Sequence, residues 1–200
     1  MKLNTIRRLL SPLLAVTFVL ISLGGAVRAM HAGLACPDWP LCFGDVIPDY
    51  QIQVYYEFIH RVVAGLVAIG SVFLAVSIWR NKQASRESKI VAGLAIGVLA
   101  IQIIMGGLTV LKLLHSGIVT SHLGFGMAFF GLLVWLRFSV SAVKVDGKGR
   151  LPRAFFGLSL MTLVLVFGQI ILGGLVSSNY AGVACPDFPL CLGEFIPTFE

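Results

Sequence analysis

Charge is scarce in this 200-residue chain. Asp, Glu, Lys and Arg together make up 12% of it, whereas a soluble domain carries roughly 25%. So few charges cannot cover a water-facing surface. That excludes a soluble enzyme, a disordered tail and a nucleic-acid-binding protein. Cysteine is scarce too: four in 200 residues do not make a small disulfide scaffold, so their placement decides their meaning. Apolar residues are abundant, at 58% of the chain, and the mean hydropathy is +0.94. The net charge of +6 would suggest a polyanion partner, but the positions of the charges give it a different sense.

The charges divide the chain into long apolar pieces. Nineteen uncharged residues separate Arg8 from Arg28, 18 separate Arg61 from Arg80, 22 separate Lys89 from Lys112, and 24 separate Lys112 from Arg137. A transmembrane helix needs about 20 apolar residues. The pattern predicts five spans, at 9–30, 52–79, 90–112, 116–137 and 154–177. Arg7 and Arg8 before an apolar stretch also fit a cleaved signal peptide. That run is long for a signal, however, and its far end reappears later on a helix that cannot be one.

Orientation follows from the basic residues. Lys2, Arg7 and Arg8, then Arg80, Lys82, Arg86 and Lys89, then Arg137, Lys144, Lys148, Arg150 and Arg153 hold twelve of the fifteen. Seven of the nine acids lie in the alternate regions or beside them: Asp38, Asp45, Asp49, Glu57, Asp187, Glu194 and Glu200. The expectation is a cytoplasmic N-terminus in the cell's inner membrane, with the loops at 31–51 and after 177 facing outwards.

The chain repeats itself. Residues 24–48 read GGAVRAMHAGLACPDWPLCFGDVIP, and residues 173–197 read GGLVSSNYAGVACPDFPLCLGEFIP, without a gap. A shorter echo pairs QIIMGGL at 102–108 with QIILGGL at 169–175. The pairs Gly24-Gly25, Gly106-Gly107 and Gly173-Gly174 therefore lie near the outer ends of helices 1, 3 and 5. They suit close helix packing in lipid. The fold class expected is an all-α membrane protein: a four-helix bundle over 1–145 with an outer cysteine loop at 31–51, then an incomplete second repeat over 146–200.

Cys36 and Cys42 enclose Pro-Asp-Trp-Pro-Leu, and Cys185 and Cys191 enclose Pro-Asp-Phe-Pro-Leu. Both pairs fall on the side where disulfides persist, and the prolines restrict each loop. Local bridges are the expectation. Zinc and free thiols are the rival readings, although no histidine stands at zinc-ligand spacing. Whether a bridge there serves redox chemistry or structure alone is open at this stage.

Ionisable residues within a span are functional candidates. Helix 2 carries Glu57, His60 and Arg61, and helix 4 carries His122. Glu57 and His60 share a helix face at a spacing of three. At 1.5 Å per residue, His60 lies about 12 Å and His122 about 9 Å below the outer ends of their helices. Two histidines at matching depth on two helices suit axial ligation of one heme iron from opposite sides. The plainer alternative has them satisfied by carbonyls or water. His31 and His115 fall at the interface and read as interfacial residues.

These residues together resemble one known family, heme A synthase, also called the cytochrome oxidase assembly protein family. The resemblance rests on the GG…ACPDWPLC…IP loop, the EFIHR stretch from Glu57 to Arg61, the position of His122 and the repeated ACPDFPLC loop. It covers nearly the whole chain. It implies eight helices in two four-helix bundles and oxidation of the heme O C8 methyl to a formyl group for terminal oxidases. It also implies that His60 and His122 hold the heme in the first bundle, that Glu57 is the reacting carboxylate, and that Cys36 and Cys42 form a bridge near the heme. Arg61 then pairs either with a heme propionate or with Glu57. The family's second bundle holds heme b on a further histidine pair, which lies beyond this sequence. Three readings stay open here: a fragment, a truncated gene product, or a single bundle with an extra helix that gains those helices from a second copy or another chain. Heme O synthase, oxidase subunits and membrane lipid are the expected partners. The other classes weighed are a non-catalytic heme-binding assembly factor, a cytochrome b-type electron-transfer subunit and a transporter.

Overall fold

The structure is a computed structural model that describes residues 1–140, 153–187 and 189–195. Lys144, Lys148 and Arg150, the boundary expected at 145/146, and Phe188, Ile196, Pro197 and Glu200 lie outside the described residues. Among those described, five helices are long and apolar enough to cross a membrane. They are α1 (Leu3–Ala29), α2 (Ile52–Arg80), α3 (Arg86–Leu111), α4 (Ser116–Ser139) and α5 (Arg153–Ser178), and no strand accompanies them. The chain is a multi-pass helical membrane protein.

The five spans stand where hydropathy puts them, but several ends move outwards. α1 begins six residues before the expected start and takes in Arg7 and Arg8. α3 begins four residues early because Ser85 caps it, its hydroxyl accepting the Ser88 amide at 3.0 Å. Charge marks where an apolar run ends, not where a helix must end. Long basic side chains reach towards water while their backbone stays helical.

α1 packs against α2 and α4, and α3 packs against α2 and α4. The first four helices thus close a ring in which α2 stands diagonally opposite α4. The apolar core fills the middle and the end away from the cysteine loop. Ile6, Leu10, Leu74, Ile78, Val91 and Leu136 pack at that end. Val67, Leu99, Phe129 and Leu133 pack at the middle. The half nearest the cysteine loop carries Glu57, His60, Arg61, Gln102 and His122.

α5 lies outside the ring and packs on α4. Its contact is built on small residues: a Cβ on Gly124 would meet Ile171 at 2.8 Å, and one on Gly174 would meet Leu123 at 2.9 Å. The Thr120 and Ser178 hydroxyls are 3.3 Å apart across that seam. At the loop end, Arg28 of α1 donates to the Tyr180 hydroxyl at 2.8 Å and to the Ser177 carbonyl, with its guanidinium 4.1 Å from the Tyr180 ring centre. His31 stacks on the same ring.

Candidate functional site beneath the first cysteine loop

The cysteines pair locally. Cys36–Cys42 and Cys185–Cys191 are disulfides with S–S distances of 2.03 and 2.06 Å. This excludes zinc and free thiols for all four cysteines. The two loops share one architecture. In the first, the Asp38 carboxylate accepts the amides of Phe43 and Gly44, both at 2.7 Å. In the second, Asp187 accepts those of Leu192 and Gly193 at 2.9 and 2.7 Å. Phe43 and Gly44 have φ of 57° and 77°, and Leu192 and Gly193 have 55° and 82°. Successive left-handed residues turn their N–H groups to one side and form an anion-binding concavity. The motif's aspartate fills it. The Gly44 amide, with that of Phe43, holds the Asp38 carboxyl below its ordinary range, and Gly193 does the same for Asp187.

The first loop reaches across the bundle. Trp39 lies on α3, where a Cβ on Gly107 would meet its indole at 3.2 Å. Gly33 admits Leu114 in the same way, also at 3.2 Å. Leu114 and Leu113 form the tight α3–α4 turn, with φ of 58° and 49°. The loop therefore spans from the α1–α2 end to the α3–α4 end. Cys36 and Cys42 are buried beneath it against Val54.

His60 and His122 stand on the two diagonal helices, eight and six residues from their loop ends, or about 12 and 9 Å at the helical rise. Each imidazole is seated on a glycine of the neighbouring helix. A Cβ on Gly24 of α1 would lie 3.1 Å from His60 Cε1, and one on Gly106 of α3 would lie 3.1 Å from His122 Cε1. The remaining ring distances agree as well: 3.7 Å to Nδ1 and 3.9 Å to Nε2 in both seats. The α1–α2 and α3–α4 hairpins thus present their histidines in matching fashion. Nδ1 of each ring is buried without a hydrogen-bond partner. Gln102, one turn before Gly106, brings its amide nitrogen to 3.4 Å from His122 Nε2, and its Oε1 is also buried and unpartnered.

Glu57 is buried one turn before Arg61. Arg61 Nε donates to Glu57 Oε1 at 2.9 Å. The rest of its guanidinium serves the loop: Nη1 donates to the carbonyls of Asp38 and Leu41 at 2.7 and 2.6 Å, and Nη2 donates to that of Cys36 at 3.1 Å. His31 and His115 are not part of this cluster. His31 stacks on Tyr180, and His115 precedes the first turn of α4.

The sequence pointed to Glu57, His60, Arg61 and His122 but did not single out Gly24, Gly106, Trp39 or Gln102. A signal for the glycines was visible in the repeated Gly-Gly pairs. Read as packing residues, they prove to be packing residues of a particular kind, because the first glycine of the α1 and α3 pairs accepts an imidazole. Trp39 carried no signal beyond its place between two cysteines.

Fold and site together define a polytopic helical membrane protein with two histidines on diagonal helices beneath a disulfide-closed loop. Comparison supplies the family. The chain belongs to the cytochrome oxidase assembly protein family, whose model matches residues 7–54 and 49–200. It is 32% identical over 198 residues to a heme A synthase of Halalkalibacterium halodurans, covering 95% of this chain and 65% of that protein. It is 31% identical over 201 residues to a heme A synthase of Shewanella oneidensis, covering 92% and 60%. It is 33% identical over 187 residues to a heme A synthase of Lysinibacillus sphaericus, covering 90% and 60%. The chain thus spans less than two thirds of the length of these relatives.

Proposed function

We propose that this chain takes part in heme A synthesis, binding heme O through His60 and His122 and oxidising its C8 methyl to a formyl group. The observation that carries this reading is the pair of imidazoles on diagonal helices, each set on a glycine and each with a buried ring nitrogen lacking a partner. Such atoms are costly to leave unsatisfied, and two buried imidazoles on diagonal helices are a donor set that would suit a heme iron. The residues therefore fit the group. The relatives' name, heme A synthase, supports the same reading.

Converting a methyl to a formyl removes four electrons and adds one oxygen atom. Heme O supplies the redox-active ring and the methyl that is oxidised. The protein supplies position and charge. Gly24 and Gly106 set the ring planes of His60 and His122. The Glu57 carboxylate stabilises positive charge developing at the methyl carbon, or takes a proton from the incoming oxygen donor as general base. The first cysteine loop closes the site at its mouth, with Trp39 bridging to α3.

The excess of Lys and Arg at the opposite ends of the helices supports a bacterial inner-membrane location with the cysteine loops extracytoplasmic. Heme O synthase and terminal oxidase subunits are the partners this role calls for.

The test is to purify the protein from membranes of cells that make heme O, extract its heme, and identify it by chromatography and mass. Heme A is the expected product. Glu57→Gln should retain bound heme and yield heme O alone. Bound heme O that the unaltered protein never converts would favour the carrier reading. A normal yield of heme A from the Gln variant would remove Glu57 from the chemistry.

A further inference from the structure

Arg61 makes four hydrogen bonds that join two parts of the site. One goes to Glu57, and three go to carbonyls of the first cysteine loop. Those carbonyls belong to Cys36, Asp38 and Leu41, all within the segment closed by the Cys36–Cys42 bridge. A guanidinium is planar, and its five N–H donors point in fixed directions. It can serve three loop carbonyls at once only while the closed segment turns them inwards. Its Nε–H is held in the same plane, so the loop's shape fixes the direction of the bond to Glu57. The four bonds occupy donors that a heme propionate would otherwise use. Lysine could not replace this fork, because an ammonium is a point charge on a flexible stem.

We propose that Arg61 is a positioning residue that makes the orientation of the Glu57 carboxylate depend on the closed Cys36–Cys42 loop. As a statement about catalysis, it rests on the reading of Glu57 given above. As a statement about coupling, it stands on the geometry alone. Opening the bridge frees the three carbonyls, loosens the guanidinium and leaves a buried carboxylate without a fixed partner. In the other direction, loss of the Glu57 charge loosens the loop. A cleft of about 190 Å³ lined by Pro40, Leu41, Cys42, Asp45, Phe58 and Arg61 lies beside the bridge, whose sulfurs are buried, so a reductant reaches them when the loop opens.

The experiment measures how fast a phosphine reductant opens each disulfide of the full chain in membranes, by mass-tagging the freed thiols. Cys185–Cys191 closes a loop of the same design that receives no bond from Arg61 and serves as the internal control. Arg61→Gln should speed opening of Cys36–Cys42 about tenfold, the scale of one lost charge-assisted hydrogen bond. Glu57→Gln should speed it about threefold, and Arg61→Lys should resemble Arg61→Gln. The control bridge should not respond to any of them. The double variant should be no faster than Arg61→Gln, because both changes act through one group.

The proposal is overturned if Glu57→Gln leaves the rate unchanged, if the two effects multiply, or if lysine restores the original rate. If Arg61→Gln is not recovered folded, the Glu57→Gln and Arg61→Lys rates still decide it. In heme O-containing membranes, Arg61→Gln should keep the bis-histidine spectrum while its heme A fraction falls about tenfold. Loss of that spectrum would instead make Arg61 a heme contact and overturn the assignment. If the unaltered protein makes no heme A, the reading of Glu57 as catalytic fails, while the reduction rates still decide the coupling.

Discussion

Gly24 of α1 forms the seat on which the His60 imidazole of α2 rests: a Cβ there would lie 3.1 Å from Cε1, close enough that the ring must give by a few tenths of an ångström. Gly106 and His122 repeat the arrangement at the same distance. Gly25, the next residue, has open space around its Cβ position. Gly24→Ala should therefore turn the His60 ring and lower heme occupancy about tenfold, whereas Gly25→Ala should stay within about twofold of the unaltered protein. The heme-to-protein absorbance ratio of the purified variants checks this. Equal losses from both would show that the glycines serve helix packing in general.

Trp39 joins the first loop to Gly107 on α3. Removing the indole should open the mouth of the site without disturbing the core, which lies at the middle and far end of the bundle. Trp39→Ala should retain its heme spectrum but release heme to excess apomyoglobin at least about threefold faster. An unchanged release rate would rule out a covering role for the loop.

Loop stability should depend on pH through Asp38. Its carboxyl is held below the ordinary aspartate range by the Gly44 and Phe43 amides, so the folded loop favours the charged form. A depressed carboxyl contributes stability that is complete above its unfolded value and is lost as pH falls through its folded value. Opening of the Cys36–Cys42 bridge by a phosphine reductant, corrected for reagent protonation, should accelerate as pH drops below the ordinary aspartate range. In Asp38→Asn that acceleration should be absent, and opening should be faster throughout. An Asn variant with the original pH profile would contradict this.

α5 should be separable from the site. Its seam with α4 depends on Gly174, where a Cβ would lie 2.9 Å from Leu123. Gly174→Leu should lower the thermal midpoint by several degrees, yet leave heme occupancy within about twofold, because His60 and His122 both lie within the α1–α4 ring. Loss of heme on this substitution would mean that α5 supports the site directly.

How much was legible in sequence depended on the range of the interaction. Arg8, Arg28, Arg61 and Arg80 framed the first two spans, and those spans stand. The starts of α1 and α3 fall before Arg8 and Lys89, the charges that bound the apolar runs, because a helical backbone tolerates both. The bridge partners Cys36 and Cys42 could be paired from a spacing of six. Arg61 could not be assigned, since Glu57 was in view one turn away while Cys36, Asp38 and Leu41 arrive only through the folding of a loop.

The sequence by itself determined that this chain enters a membrane, how many times it crosses and which ionisable side chains it carries inside. Each of those follows from local hydropathy and from the cost of burying charge. Only the tertiary structure decided that α2 faces α4 across the ring, that glycines from α1 and α3 seat the two imidazoles, and that one guanidinium serves both a carboxylate and a closed loop. Apart from the Glu57–Arg61 turn, those relations join residues from 16 positions apart (Gly106 and His122) to 62 (His60 and His122), and the physical reason is packing: which helix fills the space beside a glycine is set by the whole bundle and not by any single segment.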